Sequence, residues 1–280
     1  MIIQLVPPSE EPMPRSTLII GHRGASRDAP ENTLASFRLA FEQGADGIEA
    51  DFRLTLDGEI VCLHDDHTTR TAGGDLRVEQ ATLARLRRLD AGLWRGAFWA
   101  GERIPTLKEV LCALPAGKML FIELKSGPEI VGPLAAALAD SGVPVAQIRF
   151  LSFSAELVLL LKERLPQYRA CWLCDHRFRG VWRPSRAEVL ATLQKSRADG
   201  LASRQSAILD EQFVRCLREN NLEIHVWTVD AAAAARRLCA LGVDSVMTNR
   251  PGWLRRALEE PVRTGAAVCD GAAGVEERVR

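Results

Sequence analysis

From residue 17 onward, short runs of β-branched and apolar residues alternate with stretches whose apolar positions recur every three or four residues. That alternation predicts parallel strands joined by crossover helices. Strand-like runs lie at 18–21, 47–54, 60–64, 119–124, 148–153, 170–173, 200–202, 223–228 and 245–248, which is one run too many for a closed eight-stranded barrel. The second and third runs account for the excess. Only residues 52–59 separate Asp51 from the third run, and a parallel crossover needs about a dozen residues or more. These two runs are expected to form a hairpin turning at Asp57-Gly58, a register that faces Leu56 with Glu59 and Asp51 with His64. The remaining eight runs are each followed by a helix-like stretch, at 33–43, 107–114, 129–141, 155–165, 185–197, 210–220, 231–241 and 252–259. In the first, Leu34, Phe37 and Phe41 share a face, Asn32 or Thr33 can cap the start and Gly44 ends it. The expected fold is α/β, a (β/α)8 TIM barrel.

Residues 1–16 read as an N-terminal extension, 17–260 as the barrel and 261–280, rich in Gly, Ala and Arg, as a disordered tail. A small insertion of about 66–105 follows the second barrel strand, with a helix-like stretch at 78–89 and an aromatic segment at 94–99. A long loop in that position is expected to pack as a lid on the barrel mouth or to wall the site there.

Lys plus Arg equals Asp plus Glu, at 36 each, so the chain has no global field to hold it on nucleic acid or an anionic membrane. An anionic ligand must be captured by local positive charge. The N-terminus lacks a basic region followed by a secretory apolar stretch, and no run of about 18 apolar residues could span a bilayer. A soluble cytoplasmic protein with no nucleic-acid partner and no stable membrane association is expected. Association into a homo-oligomer is left open. The seven cysteines, an odd number spread from Cys62 to Cys269, fit reduced thiols. Cys171 and Cys174 form an isolated Cys-x-x-Cys pair inside a strand-like run, which is weak support for redox or metal chemistry.

Five residues at the ends of strand-like runs carry the chemistry: His22, Glu49, Asp51, His64 and Glu123. Glu49 and Asp51, two apart on a strand, point to one face, and two such close carboxylates repel unless a cation neutralises them. Glu123 ends the next parallel strand, within reach of the same ion. Two of the acids have a basic neighbour with which they could form a plain ion pair, Glu49 with Arg53 and Glu123 with Lys125; convergence of three acids favours the cation. Oxygen donors alone suggest one divalent cation, Mg²⁺ or Ca²⁺, ahead of Zn²⁺. His22 and His64, each beside charged residues at a strand end, suit a general acid and a general base. Arg23 offers a planar fork to a phosphate, Lys125 a point charge and Trp227 a floor for an apolar or glycerol-like group. The glycines flanking His22-Arg23 allow close backbone approach. His67, His176 and His225 read as loop or core residues, although His225 shares a strand face with Trp227.

Gly21-His22-Arg23-Gly24, Pro30-Glu31-Asn32-Thr33, Ile48-Glu49-Ala50-Asp51, Leu54-Thr55-Leu56-Asp57-Gly58, His64-Asp65 and Ile122-Glu123-Leu124-Lys125 together resemble the glycerophosphodiester phosphodiesterases. Val226-Trp227-Thr228-Val229-Asp230, Gly242-Val243-Asp244 and Thr248-Asn249-Arg250-Pro251 are similar to that family's closing strands, so the resemblance covers roughly residues 18–256. Ala50 stands where the family more often has Leu, at a position that should face away from the site. The resemblance implies a barrel whose insertion follows the second strand, a divalent ion on Glu49, Asp51 and Glu123, and His22 and His64 as the acid-base pair, with Arg23 and Lys125 near the phosphate. It implies hydrolysis of glycerophosphodiesters such as glycerophosphocholine or glycerophosphoethanolamine to glycerol 3-phosphate and an alcohol. Two alternatives remain. The same machinery would serve a lysophospholipase D if Trp94, Phe98 and Trp99 lined an acyl channel, and a noncatalytic phosphate-binding barrel would be expected to have lost at least one ligand or histidine, whereas all five are present. Neither the insertion nor the stretch 171–184 matches the family pattern closely.

Overall fold

The computed structural model describes residues 16–260; residues 1–15 of the N-terminal extension and the segment 261–280, with Cys269, lie outside the described residues. The elements in chain order are β1 (Leu18–His22), α1 (Leu34–Glu42), β2 (Gly47–Leu54), β3 (Ile60–Cys62), α2 (Leu83–Leu86), α3 (Leu107–Ala113), β4 (Met119–Leu124), α4 (Val131–Ala139), β5 (Ile148–Ser152), α5 (Ala155–Arg164), β6 (Arg169–Cys174), β7 (Arg177–Phe178), β8 (Trp182–Arg183), α6 (Arg186–Ser196), β9 (Gly200–Arg204), α7 (Glu211–Glu219), β10 (Glu223–Trp227), α8 (Ala232–Ala240), β11 (Ser245–Thr248) and α9 (Pro251–Glu259). Eight parallel strands, β1-β2-β4-β5-β6-β9-β10-β11, close into a TIM barrel through the pairing of β11 with β1.

The registers prove the closure. Leu18 pairs with Ser245, Ser245 with His225, His225 with Ala202 and Ala202 with Leu173. Carried on through β5, β4 and β2, the same registers return to β1 at position 26, eight residues past the start. That stagger is the shear of a (β/α)8 barrel, which tilts the strands and leaves an interior just wide enough for side chains to fill. Ile20, Phe121, Leu151, Cys171, Leu173, Ala202 and Met247 pack inside. Alternate strand residues, Ala50 and Phe52 among them, turn outward against the helices. Helix α7 illustrates the outer layer. Asp210 caps it by accepting the Phe213 N–H at 2.9 Å, and Phe213, Val214 and Leu217 are buried against the barrel, each contributing roughly 1.5–3 kcal/mol. Among the described residues, no helix is long and apolar enough to cross a membrane.

The β2–β3 hairpin differs from the expected register by one residue. Leu54 pairs with Ile60, and the Thr55 N–H donates to Glu59 O at 2.9 Å, leaving Leu56, Asp57 and Gly58 as a three-residue loop with Gly58 at φ 81°. Asp51 accordingly faces Leu63, whose N–H donates to Asp51 O at 3.0 Å, and His64 lies one residue beyond. A left-handed glycine at the third loop position makes this turn as favourable as the two-residue form. Asp57 then fixes it, accepting from Thr55 Oγ1 at 2.7 Å and from the Leu83 N–H at 3.0 Å.

The helix expected at 78–89 is broken into a 3₁₀ turn, Val78–Gln80, and the four-residue α2, because Ala81 and Thr82 are extended. Burial overrides helix periodicity here. Val78, Ala81, Leu86 and Ile104 join Val61 and Leu63 in a separate small core beneath the insertion, and Ala81 O accepts the Leu56 N–H at 3.0 Å. The aromatic segment forms two 3₁₀ turns, with Phe98 86% exposed. The β7–β8 hairpin after β6 was not expected; its strands of two residues each are too short to carry a periodic signal.

At the amino-terminal floor of the barrel, Glu223 accepts from Arg149 at 2.9 and 3.1 Å, pairs with Arg169 at 2.8 Å and lies 3.3 Å from His225 Nε2. Burial alone would raise its pKa, but the His225 hydrogen bond and the Arg149 guanidinium outweigh that and hold it down at about 2. A depressed carboxylate stabilises the fold above its unfolded pKa, and that contribution is lost as pH falls through the folded value. Replacing Glu223→Gln is expected to lower stability by about 3 kcal/mol at neutral pH. The difference should shrink below about pH 4.5 and vanish near pH 2; urea unfolding of both proteins across that range checks this, and a pH-independent difference would refute it.

Candidate active site

At the opposite, carboxyl-terminal end, Glu49 and Asp51 share the inward face of β2, and Asp51 pairs in register with Glu123 of β4. All three carboxylates are buried, with oxygens within 4.8 Å of one another. The surrounding polypeptide holds them apart and in place. Asn32 donates its amide to Asp51 Oδ2 at 2.9 Å and accepts the Asp51 N–H at 3.2 Å. The Arg23 N–H donates to Glu49 Oε2 at 3.0 Å. Lys125 Nζ lies 3.1 Å from Asp51 Oδ1 and hydrogen-bonds Glu123, while Arg23 Nε lies 3.2 Å from Asp51 Oδ2. Asp51 is thereby kept ionised: burial would raise its pKa, but Lys125 and Arg23 bring it down to about 2. Burial and the neighbouring Asp51 push Glu123 up to about 7 and Glu49 well above the usual carboxylate range. Two flanking cations do not suffice for three buried acids, and Glu49 Oε1 has no hydrogen-bond partner. An orphaned oxygen within a triad of hard donors fits a metal ion.

Arg53 does not pair with Glu49. Its guanidinium donates to the main-chain carbonyl of His64 at 2.7 and 3.1 Å, anchoring the backbone just past β3.

The two histidines are supported differently. Asn249 donates its amide to Asp230 Oδ2 at 2.6 Å, which turns Asn249 Oδ1 toward His22 Nδ1 at 2.8 Å. This network assigns the proton to Nδ1 and leaves His22 Nε2 as a lone-pair acceptor, 3.9 Å from Glu49 Oε2. Burial and the adjacent Arg23 lower the His22 pKa to about 4. His64 Nδ1 instead meets a carboxylate, Asp65 Oδ1, at 2.7 Å. Asp65 is held by Arg70 at 2.6 Å, Arg70 by Glu31 at 2.8 Å and Glu31 by Arg23 at 2.9 Å, so a chain of ion pairs links the two histidine loops. Burial lowers the pKa of His64 as well, against the opposing charge of Asp51.

The loop after β1 explains its glycine. Arg23 and Gly24 are both left-handed, at φ 56° and 82°, and a Cβ on Gly24 would lie 2.7 Å from the Ser36 backbone. The close approach is to α1, and its effect is to turn the Arg23 N–H onto Glu49.

His22, Arg23, Glu49, His64, Glu123, Lys125, Phe153 and Trp227 line one cavity of about 150 Å³. Trp227 donates its indole N–H to Ala202 O at 3.1 Å and meets Phe153 edge to face at 5.8 Å. All eight residues singled out for chemistry from the sequence contribute to this cavity or, as Asp51 does, to the acid cluster beneath it. Asp65, Arg70, Asp230 and Asn249 carry no role in the sequence reading, and that of Asn32 differs. Asn32 read as a helix cap, a task that falls to Thr33, whose Oγ1 accepts the Ser36 N–H at 3.2 Å. His67 is half-buried and pairs with Asp66, and His176 is buried beside Cys174. His225 does share the inward face with Trp227 but sits lower, bonded to Ser245 Oγ at 2.8 Å. Cys171 lies inside the barrel and Cys174 outside it, so they form no redox pair.

Comparison with known proteins agrees with this arrangement. The Glycerophosphoryl diester phosphodiesterase family model matches residues 22–253. A glycerophosphodiester phosphodiesterase of Caldanaerobacter subterraneus is 34% identical over 243 residues, covering 85% of this chain and 96% of that protein. One of Bacillus subtilis is 31% identical over 254 residues, covering 85% of each. Among solved structures, a phosphodiesterase of Oleispira antarctica in complex with the product sn-glycerol-3-phosphate superposes with TM-score 0.78 at 29% identity, over 88% of this chain and 98% of that one. With the shared barrel, the match over nearly all of the described residues establishes that the chain belongs to the glycerophosphoryl diester phosphodiesterase family.

Proposed function

We propose that the protein hydrolyses glycerophosphodiesters to glycerol 3-phosphate and a free alcohol, with the help of one divalent cation. The observation that carries this reading is the opening of the Glu49–Asp51–Glu123 cluster into the cavity shared by His22 and His64. Glu49, Asp51 and Glu123 would hold Mg²⁺ or Ca²⁺, hard ions that prefer carboxylate oxygens. When bound, such an ion supplies Lewis-acid stabilisation of charge building on a phosphate oxygen. Arg23 and Lys125 supply the remaining positive charge at the phosphate. Trp227 and Phe153 receive the glycerol carbons.

His22 and His64 divide the proton transfers. With its Nδ1 proton committed to Asn249, neutral His22 offers a free Nε2 lone pair; one of the two histidines takes the proton of the attacking nucleophile and the other protonates the departing alkoxide. Asp65, hydrogen-bonded to His64 Nδ1 at 2.7 Å, works against the burial that lowers the His64 pKa. Arg53 positions His64 through its main-chain carbonyl. The lysophospholipase D reading loses support at the aromatic segment: Trp94 lines a cavity at the mouth, but Phe98 projects into solvent and makes no apolar channel.

Release of glycerol 3-phosphate from glycerophosphoethanolamine is expected to stop with EDTA and return with Mg²⁺ or Ca²⁺. A Glu49→Gln variant should stay at least about a hundredfold slower at saturating metal. Activity that survives chelation would reject the metal. Either His22→Ala or His64→Ala should cost about 10²- to 10⁴-fold. A diester with a p-nitrophenol leaving group needs no general acid, so it should recover most of the loss in whichever variant lacks the acid and little in the other; equal recovery in both would refute the division of roles.

A further inference from the structure

The cavity of about 150 Å³ beside the acid cluster takes the phosphate and glycerol of a diester, and the alcohol half extends from it toward solvent. A second cavity, of about 370 Å³, shares His22 and Arg23 with the first and extends away from the acid cluster to Arg27, Glu31, Trp94 and Arg95. Its charges do not balance. Glu31 is neutralised twice, by Arg23 at 2.9 Å and Arg70 at 2.8 Å, and Arg23 is also committed to Asp51. Among the described residues, neither Arg27 nor Arg95 has a carboxylate within ion-pairing distance, whereas Arg23 in the same cavity is paired with Glu31 and Asp51. They come from different parts of the fold, Arg27 from the loop after β1 and Arg95 from the insertion after β3. Two uncompensated guanidiniums in one concave space form a local positive field in a chain of zero net charge.

We infer that this outer cavity binds the leaving alcohol and selects alcohols that carry an additional anionic group, a carboxylate or a second phosphate, over cationic ones. The inference rests on the phosphodiesterase reading and adds the charge of the preferred substrate. Arg27 and Arg95 are specificity residues in this scheme: they meet the far end of the alcohol. Guanidinium forks suit carboxylate and phosphate, and exposure to solvent keeps the preference moderate and salt-dependent. Trp94 supplies a flat apolar wall for the carbons between the phosphate and the distal charge.

Glycerophosphoserine and glycerophosphoethanolamine differ only in one carboxylate on the alcohol, which makes them a clean pair. The wild-type protein, assayed with Mg²⁺ at low salt, is expected to favour glycerophosphoserine in kcat/KM by about tenfold. The double variant Arg27→Gln/Arg95→Gln should bring the ratio close to one, and raising NaCl to about 0.5 M should compress it in the wild type. An Arg215→Gln control on α7 should keep the wild-type ratio. A wild-type ratio at or below one, or a ratio that the double variant leaves intact, would overturn the assignment while the phosphodiesterase reading stands. Release of glycerol 3-phosphate from neither diester would overturn both.

Discussion

Three carboxylates buried within a few ångströms of one another are the constraint to which the rest of this barrel mouth answers. Like charges so placed in a poorly solvated site cannot all ionise without compensation. The residues around them act accordingly. Asn32 takes a left-handed backbone, at φ 58°, with its amide bonded both ways to Asp51. Arg23 takes another and aims its N–H at Glu49, and Lys125 reaches across from the next strand to Asp51 and Glu123. Strain of this sort persists only where the surroundings over-determine it, and here both strained residues are tied directly to the acids.

The floor of the same barrel gives the contrast. Cys171, Glu223 and His225 also bring donor atoms within 4.8 Å of one another, so donor spacing alone does not separate them from the acids at the mouth. Charge balance does. Glu223 is bonded by Arg149 and Arg169, and His225 is occupied by Ser245 and Glu223. That network leaves no acid oxygen without a partner, with two guanidiniums on the one carboxylate, which suits a structural plug. At the mouth an acid oxygen is left without a hydrogen-bond partner and a cavity opens beside it, which suits a ligand.

The positions of the histidines depend on long-range supports. His22 is oriented by Asn249 and Asp230, more than 200 residues away in sequence, through the pairing of β1 with β11. His64 is oriented by an adjacent carboxylate and by Arg53 on the partner strand of its hairpin. The one-residue difference in that hairpin shows how such supports override local signals. Asp57-Gly58 could have closed a two-residue turn, but the bond from the Leu83 N–H to Asp57 and the burial of Val61 and Leu63 under the insertion select the three-residue loop. Because side chains alternate with a period of two, a one-residue slip exchanges faces, and only the observed register buries Val61 and Leu63 in that core.

The sequence by itself determined the barrel, the strand and helix order, and the residues at the strand ends, because hydrophobic periodicity and strand-end polarity are local properties of the chain. Eight helices fall within a few residues of where their apolar spacing places them. Tertiary structure decided what no local pattern encodes. It fixed the closing register, the break at Ala81 and Thr82, the separation of Cys171 from Cys174 by the barrel wall, and the carriers of second-rank support: Asn32, Asp65, Arg70, Asp230 and Asn249. Polar residues of that kind have no periodic signature. Asn249 meets His22 only because the sheet closes, and Asp65 and Arg70, near His64 in the chain, are tied to the loop after β1 only through Glu31.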